Sequence, residues 1–594
     1  GRIRDTYVKQ SSQAIGKKSI YDSYIRAIRW ASDRIGASGV IGYISGSSFI
    51  EKFAMDGMRR SLAEEFTSIH VINLRGDIRK NMLSKGAAKE GGNIFGSGSM
   101  TGIALTIFVK NPASSQKGEI RYHDIGDDLS REAKLASLSE LRSIEGVGAL
   151  TDGWKKVVPD RHGDWLKQRN DDLSSNIPLG IKKGLEGERI VDWYSYGVNT
   201  ARDAWCYNYS KSNLVSNILR MITSYNAEVG RYKAACAGLS AKQYPDVGDF
   251  IDTDPTKISW GVNLKQGLAK FKTIEFSPDA VTQSLYRPFT KRWLYFSKSL
   301  NHSLYRMPLV FPSFGAENLV ICVSGIGARS GFSTIITNCV PNYDTLEKAL
   351  CFPLYTYGDG GNDSEENDQG TLVDEPAAPS TGARKDAITV PGLAHFQKVY
   401  EGETLAREDV FYYVYGILHS TDYRTRFAEN LSKEVPRIPC VAKAADFWAF
   451  AQAGRRLADL HLNYETADLY PVKVHCTIAS PTSKDYRVEK MKYGKKGKEK
   501  DLSTIHYNSK ITVTGIPLEA YEYIVGGKAA VDWVVERQCE KTDKDSGIVN
   551  DANDWANETA NNPKYPLELI QRTITVSLET MKIVKALPPL EIAA

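Results

Sequence analysis

The stretch IFGSGSMTGIALTIFVK, residues 94–110, decides the fold class of this chain. Its second half, residues 103–109, is a continuous apolar run rich in β-branched and aromatic residues, which predicts a strand buried on both faces. The Gly/Ser turn ahead of that strand lets the backbone approach a ligand closely. Phe95, on the lip of the turn, is placed to stack on a flat ligand. An aromatic residue in this position also commonly packs a loop against the core, so both interpretations stay open.

The residues before this stretch alternate between helical and strand patterns. Apolar residues recur at helical spacing in two segments, and two short apolar runs are typical of buried strands. This alternation predicts the second half of a doubly wound α/β domain. The predicted order is helix 21–35, strand 40–44, helix 49–66, strand 68–74, loop 75–99 and strand 103–109.

The ligand-binding turn that such a domain needs is missing from the front of the sequence. Doubly wound folds bind ligands at the carboxyl ends of their first strands, usually through a Gly-rich first turn. No GxGxxG motif follows a strand here, and the sequence begins at Gly1 in a polar stretch. We therefore expect the first half of the sheet to lie upstream, in a longer polypeptide.

Length and composition restrict the class of protein. A chain of 594 residues is too long for one core and predicts about two to four domains. A net charge of +5 is mildly basic and identifies no partner by itself. The 8 cysteines include no CxxC pair, which argues against a zinc site or a disulfide framework and favours a reducing cytoplasm. No apolar segment is long enough to span a membrane, and no signal peptide opens the chain.

Aromatic and basic residues alternate densely between residues 154 and 400. The segment SLYRPFTKRWLYFSKSLNHSLYRMP (284–308) shows the pattern most clearly. Basic residues among aromatic ones suit a nucleic-acid surface, with cations on phosphates and Arg forks on guanine edges. A β-rich core whose alternate residues face water predicts the same pattern, so this alternative also stays open. The Gly/Ser loop VSGIGARSGFSTI (323–335) lacks the lysine–hydroxyl ending of a phosphate loop.

The remaining chain contains an acidic insert and a helical region. Residues 358–384 are acidic and poor in hydrophobic residues, which indicates a solvated insert. Apolar residues recur at helical spacing over 407–465, so His419 and His461 are expected in a packed core and not at a catalytic centre. The segment YRVEKMKYGKKGKEK (486–500) is the most concentrated basic run, typical of a solvated hairpin that could also contact phosphate.

Three segments of the first 110 residues resemble the later motifs of γ-type amino-methylating DNA methyltransferases. They are GVIGYISGSSFI, INLRGD and GGNIFGSGSMTGIALTIFVK, in that order. The resemblance implies that Phe95 stacks on a flipped target adenine and that Tyr24, with Tyr21, contacts S-adenosylmethionine. Extruding a base and holding it between flat apolar groups is what chemistry on a base requires. The family's catalytic Pro-Pro-aromatic motif is absent from this sequence, so no catalytic residue is assigned.

Later segments resemble the C-terminal specificity region of type ISP restriction–modification enzymes. These are RPFTKRWLYF, EDVFYYVYGILHSTDYRTRFAENLSKEVPRIP, FWAFAQAGRRLADLHLNYE and KTDKDSGIVNDANDW. Such enzymes carry nuclease, ATP-driven translocase, coupler, methyltransferase and target-recognition parts in one polypeptide. The resemblance implies an α/β methyltransferase half (1–112), a strand and helical spacer (113–150), a mixed α+β target-recognition region (151–400), a helical subdomain (401–470) and a C-terminal α/β part (471–594).

The function implied is site-specific adenine-N6 methylation of duplex DNA within a bacterial, cytoplasmic restriction–modification enzyme. The cofactor would be S-adenosylmethionine, with ATP and Mg²⁺ acting only through upstream translocase and nuclease domains. We expect the chain alone to be inactive, because the catalytic motif would lie upstream. A non-catalytic DNA-recognition subunit and an RNA base methyltransferase remain alternatives. The predicted DNA contacts are Arg75, Ser97, Arg287, Lys291, Arg292, Arg306, Arg329 and Lys492.

Overall fold

The chain folds into two units, each with its own hydrophobic core. A computed structural model describes residues 1–11, 19–77, 90–96, 98–182, 184–313, 315–358, 383–497 and 499–593. The first unit comprises Gly1–Leu173 together with Phe427–Glu434, and the second comprises Ser174–Arg426 and Val435–Ala594. Ser97 and nearly all of the acidic segment 358–384 lie outside the described residues. The finer domain boundaries expected from the sequence remain predictions.

A five-stranded sheet organises the first unit. In chain order its strands are β1 (Gly39–Gly46), β2 (Ser68–Arg75), β3 (Ile103–Lys110), β4 (Glu119–Asp124) and β5 (Lys155–Val157). Across the sheet they stand in the order β1-β3-β2-β4-β5. The central β3 is the apolar run predicted as a strand, and it pairs antiparallel with both β1 and β2. Strand β2 pairs parallel with β4, so β1, β2 and β4 point the same way.

Burial of β3 explains why its sequence is so apolar. Ala104, Thr106 and Phe108 are fully buried, and the Phe108 ring lies 5.1 Å from that of Phe66. Since β3 has a paired strand on each side and buried side chains, it cannot serve as an edge. The carboxyl ends of β1, β2 and β4 meet at one edge of the sheet, which is where doubly wound folds bind ligands.

The helices of the first unit follow the predicted pattern with one interruption. Helical geometry was expected throughout 49–66, but Lys52 is extended (φ −68°, ψ 134°) and a 3-10 turn precedes Asp56. A new helix begins at Asp56, whose carboxylate accepts the Gly57 amide at 2.8 Å. The helices are Ser23–Arg34, Ser48–Glu51, Asp56–Glu65, Arg131–Leu141, Ile144–Gly148 and Ala428–Leu431.

A buried ionic cluster ties the returning segment Phe427–Glu434 to the rest of the first unit. The Asp164 carboxylate is 1% exposed and accepts hydrogen bonds from Arg59 (2.7 Å), Arg169 (3.2 Å) and Lys433 (3.0 Å). Asn430 donates to the Asn170 carbonyl at 3.0 Å. The first unit is therefore completed by residues about 260 positions later in the sequence.

The second unit is a mixture of helices and small sheets, in which Val340–Pro341 pairs parallel with Val281–Arg287 and the other strand pairs are antiparallel. Three four-stranded sheets are described, with strand orders 340–341/281–287/290–295/207–208, 334–337/320–323/350–353/195–196 and 473–476/511–514/499–506/492–496. Two-stranded pairings join Ile177–Pro178 with Arg437–Ile438, Tyr355–Tyr357 with Arg384–Asp386, Ile524–Val525 with Lys528–Ala529, and Glu540–Thr542 with Val549–Asp551.

Two long helices form the helical subdomain of this unit. Arg407–His419 and Ala444–Leu462 approach closely because each contributes a glycine: a Cβ on Gly454 would lie 1.8 Å from the Tyr412 carbonyl oxygen. The mixed α/β class and the helical subdomain predicted from the sequence are thus confirmed. The other helices are Asp203–Cys206, Lys211–Ala235, Val247–Phe250, Val262–Ala269, Met307–Val310, Val390–Val399, Thr421–Arg426, Ala530–Arg537, Ala552–Asp554 and Tyr565–Lys585.

None of the helices described is long and apolar enough to cross a membrane. Among the same residues, no group of His, Cys, Asp or Glu side chains is arranged to hold a metal ion.

Candidate functional site

Phe95 lies on the surface of the first unit, beside the ligand-binding edge of the sheet. Its side chain is 61% exposed, whereas the neighbouring Ile94 is 8% exposed and packs in the core. Ile94 therefore holds this turn against the protein, and Phe95 does not. The exposed ring favours the ligand-stacking interpretation of Phe95 over the loop-packing one.

The backbone beneath Phe95 is held by the buried side chain of Asn93. The Asn93 amide nitrogen donates to the carbonyls of Gly76 (3.1 Å) and Thr101 (2.8 Å). Its amide oxygen accepts the backbone N–H of Phe95 at 3.0 Å. One side chain thus connects the end of β2, the start of β3 and the turn. An aromatic ring presented from a fixed backbone loses little conformational entropy when it binds.

The helix Arg131–Leu141 adds a second support for this turn. Arg131 Nε donates to the Ile94 carbonyl at 2.9 Å, and Lys134 Nζ donates to the carbonyls of Glu90 and Gly92, both at 2.8 Å. Lys134 is fully buried, and this burial lowers the pKa of its ammonium group. The helix is therefore more than a spacer between two parts of the chain.

Sequence reasoning did not identify Lys134, although one signal was available. Lys134, Leu138 and Leu141 lie at i, i+4 and i+7 and share one face of the helix. Both leucines pack against the apolar cluster around Ile94. A lysine on the same helix face as core leucines needs carbonyl or carboxylate partners to be buried. Only the fold shows that these partners are carbonyl groups next to the Phe95 turn.

Tyr24, for which the family resemblance implies a cofactor contact, lies at the carboxyl end of β1. A Cβ on Gly46, the last residue of β1, would lie 3.6 Å from the Tyr24 ring. The Tyr24 hydroxyl is buried and has no hydrogen-bond partner among the described residues, and burial raises its pKa. Tyr21 is 41% exposed. An aromatic wall with an unsatisfied hydroxyl fits one side of a site for a flat adenine ring, so these residues are compatible with the expected cofactor.

Arg75, a predicted DNA contact, is engaged within the edge itself. Its guanidinium pairs with Asp124 at 2.7 Å and also with Asp127. The Tyr122 hydroxyl donates to the second Asp124 oxygen at 2.8 Å. Burial opposes ionisation of Asp124, but hydrogen bonds from the Gly126 amide and from Arg75 outweigh it and lower the pKa of this carboxyl. Contact of Arg75 with DNA stays a prediction.

Three of the predicted basic contacts in the second unit are occupied by internal partners. The Arg292 guanidinium lies between the rings of Tyr209 (4.3 Å) and Tyr286 (4.2 Å). Lys291 donates to Glu465 at 2.6 Å, and Arg287 donates to the Tyr286 carbonyl at 2.6 Å. The aromatic residues of this hairpin are buried, so its alternating pattern reflects packing.

The other predicted contacts differ in accessibility. Arg329 is 63% exposed and pairs with Glu347 at 2.7 Å, which screens its charge. The Arg306 guanidinium lies 5.5 Å from the centre of the Trp193 ring. Lys492 begins the strand Lys492–Lys496 and is exposed. For all of these basic residues of the second unit, contact with DNA remains a prediction.

Solved structures resemble the chain over its whole length. A nuclease-deletion mutant of the type ISP restriction–modification enzyme LlaGI, in complex with a DNA substrate mimic, is 37% identical with a TM-score of 0.82. The ATP-dependent type ISP enzyme LlaBIII, bound to DNA, is 36% identical with a TM-score of 0.83. DrdV, in a complex with DNA, is 29% identical with a TM-score of 0.80. They cover 100%, 100% and 99% of this chain.

The chain spans 42% of the LlaGI chain, 35% of the LlaBIII chain and 54% of the DrdV chain. No curated protein sequence matches it. Residues 189–569, well over half of the chain, match the family described as the type ISP C-terminal specificity domain. The chain therefore belongs to the type ISP C-terminal specificity domain family, as its sequence motifs predicted.

Proposed function

We propose that this chain is the methyltransferase and specificity portion of a type ISP restriction–modification enzyme. It recognises a specific site in duplex DNA and positions a flipped adenine for N6 methylation with S-adenosylmethionine. The observation that carries this proposal is the 61% exposed ring of Phe95 on a turn held by buried polar side chains.

The geometry suits a base that has left the helix stack. An extruded adenine needs a flat apolar surface, and stacking on an aromatic side chain is worth about 1–3 kcal/mol per base. Phe95 provides that surface near the edge at which β1, β2 and β4 end. Because Asn93 and Lys134 fix the backbone, little of this stacking energy would be spent on ordering the turn.

Duplex DNA is proposed as the partner because the related structures are DNA complexes. LlaGI is bound to a DNA substrate mimic, and LlaBIII and DrdV are bound to DNA. The similarity covers this chain completely or almost completely. The translocase and nuclease, with their ATP and Mg²⁺, are proposed only for upstream parts of the same polypeptide.

S-adenosylmethionine would supply the methyl group, and Tyr24 with Tyr21 would contact its adenine. The residues of this chain bind and orient the base, exclude water from its face and determine the DNA site. The sequence has no Pro-Pro-aromatic motif, so the group that accepts the hydrogen bonds of the amino group would come from upstream. We expect the chain by itself to transfer no labelled methyl group to DNA, and turnover by the chain alone would contradict this.

The role of Phe95 can be tested in an enzyme that joins this chain to its upstream catalytic part. Sequencing of methylated DNA would first locate the target adenine, which is then replaced by the fluorescent base 2-aminopurine. We expect Phe95→Ala to reduce methylation. It should also reduce the increase in 2-aminopurine fluorescence that accompanies extrusion of the base. Trp30→Ala is the matched control, because Trp30 is 59% exposed on the Ser23–Arg34 helix. Unchanged extrusion and methylation in Phe95→Ala would refute the role.

A DNA-recognition subunit that never methylates is the second candidate, favoured by the match of residues 189–569 to a specificity-domain family. Site-specific DNA binding without methylation by the joined enzyme would support it. Gel-shift competition between duplex DNA and structured RNA separates both candidates from an RNA base methyltransferase.

A further inference from the structure

The sheet formed by residues 473–476, 492–496, 499–506 and 511–514 carries a row of polar side chains across all four strands. Residues directly opposite each other in antiparallel strands share a face of the sheet. His475 opposes Thr512, Thr512 opposes His506, and His506 opposes Lys492. The row Lys492–His506–Thr512–His475 therefore crosses the sheet on one face.

A second row lies beside the first. Lys473 opposes Thr514, and Thr514 opposes Thr504. A Cβ on Gly494 would lie 3.0 Å from Thr504 Cβ, so the glycine leaves room for this threonine at the end of the row. We call the two rows together the lysine–histidine face: Lys473, His475, Lys492, Thr504, His506, Thr512 and Thr514.

The opposite side of this sheet is the one that packs in the core. Ile505, Ile511 and Val513 alternate with the threonines and are at most 1% exposed. Both lysines and both histidines of the lysine–histidine face are exposed. Since one-sided burial of the inner strands fixes the register of the sheet, these side chains are held toward solvent together.

Charge is distributed unevenly around the lysine–histidine face. Neither Lys473 nor Lys492 forms an ion pair with any carboxylate in the described part of the chain. Asp501 is the acid of this sheet next to Thr504, and it is engaged by the Thr504 hydroxyl at 3.0 Å and by Lys496 at 3.5 Å. Glu499, the exposed acid of this sheet, stands opposite Lys496 at the far end of the hairpin. The two acids of the sheet therefore face Lys496, and the two lysines of the lysine–histidine face keep their charge for another partner.

The imidazoles and hydroxyls of the face form local pairs that would suit phosphate oxygens. His475 Nε2 lies 3.1 Å from Thr514 Oγ1, and His506 Nδ1 lies 3.3 Å from Thr512 Oγ1. Hydroxyl, imidazole and ammonium groups held at fixed positions across the sheet can donate hydrogen bonds to phosphate oxygens.

We propose that the lysine–histidine face contacts the sugar–phosphate backbone of duplex DNA without reading its bases. This inference rests on the proposed function, in which the same chain binds duplex DNA. The face adds affinity that is independent of sequence, and it belongs to the second unit, whereas the Phe95 turn belongs to the first. Each lysine–phosphate contact would release condensed counterions and so contribute to the salt dependence of binding.

The test is the salt dependence of binding, measured with the full chain and a fluorescently labelled duplex of arbitrary sequence. We expect the variant Lys473→Gln/Lys492→Gln to bind more weakly. The slope of log affinity against log salt should fall by about 0.9 for each phosphate that the variant no longer neutralises. The matched control is Lys233→Gln/Lys398→Gln, which removes the same charge from two exposed helix positions and should keep the wild-type slope.

The charge-conserving variant Lys473→Arg/Lys492→Arg should also keep the wild-type slope, which separates charge from side-chain shape. An unchanged slope in the glutamine variant overturns the proposal while leaving DNA binding by the chain intact. An equal fall in the control also overturns it, because net charge alone would then explain the effect. If the wild-type chain binds no duplex, or prefers structured RNA, both this inference and the proposed function fail.

Discussion

At the scale of single residues, two phenylalanines of the 94–110 stretch have opposite environments. Phe108 is fully buried, whereas Phe95 is 61% exposed. We predict that Phe108→Ala lowers the free energy of unfolding by about 3–5 kcal/mol, because it leaves a cavity. Phe95→Ala should change it by less than about 0.5 kcal/mol, as expected for a surface side chain. Chemical denaturation of both variants checks this. A large loss of stability in Phe95→Ala would mean that the ring packs a loop after all.

Lys134 makes the second prediction at this scale. Lys134→Met keeps the length of the side chain but removes the ammonium donor from the carbonyls of Glu90 and Gly92, which costs about 1–3 kcal/mol. We expect faster hydrogen exchange at the Gly76 and Gly92 amides, which bond to Glu90 and Leu129 in this turn. Glu140→Gln, at an exposed position of the same helix, is the control. Equal exchange in both variants would show that Lys134 does not hold the turn.

At the scale of elements, the sequence predicted strands and helices well where their pattern is local. The 103–109 run is a strand, with one face fully buried and the other partly buried, and the need for continuous apolar residues in such a central strand is visible in the residues themselves. The interruption at Lys52 was not predicted, since it depends on Asp56 contacting Ser11, 45 positions earlier. The sequence of residues 284–296 is compatible with both core packing and DNA binding. The structure distinguishes them, because Arg292 lies over Tyr209 and Lys291 pairs with Glu465, and both partners are distant in the sequence.

The two long helices of the second unit contain a buried polar chain that predicts acid sensitivity. His461 Nδ1 lies 2.6 Å from the Tyr415 hydroxyl, and Nε2 lies 3.0 Å from the Thr580 hydroxyl. Burial, with a smaller effect from the Arg424 charge, lowers the pKa of His461 to about 3. The unfolded chain, with a pKa near 6.5, therefore takes up the proton first. Stability is retained above about pH 6.5 and is lost as the pH falls toward 3.

We predict that His461 alone costs about 2 kcal/mol of stability between pH 6.5 and pH 5, at about 1.36 kcal/mol per pH unit. Denaturation at several pH values would measure this. His461→Gln should be less stable at pH 7, because it disturbs the hydrogen bonds, but its stability should fall less steeply with acid. Leu518→Ala, at an exposed position without a titrating group, should keep the wild-type slope. A slope unchanged in His461→Gln would contradict the prediction.

At the scale of the whole molecule, the Asp164 cluster holds distant parts of the sequence together. Asp164→Asn would leave Arg59, Arg169 and Lys433 buried without their anion, and breaking a buried pair in this way costs about 3–5 kcal/mol. We expect lower thermal stability and faster proteolysis within 427–434. Asp171→Asn is the control, because this side chain is 64% exposed. Equal protease resistance in the two variants would show that the cluster does not secure the segment.

The same return of the chain limits how specificity can be exchanged between relatives. The polypeptide passes from one unit to the other at 173/174, 426/427 and 434/435. A hybrid with a single junction after Leu173 would place a foreign 427–434 segment against the host's Asp164 and Asn170. Such a hybrid keeps the contacts of the first unit only when its donor has residues equivalent to Lys433 and Asn430, which bind Asp164 and Asn170. Recombination that moves target specificity as a cassette would therefore need either three junctions or a shared eight-residue segment.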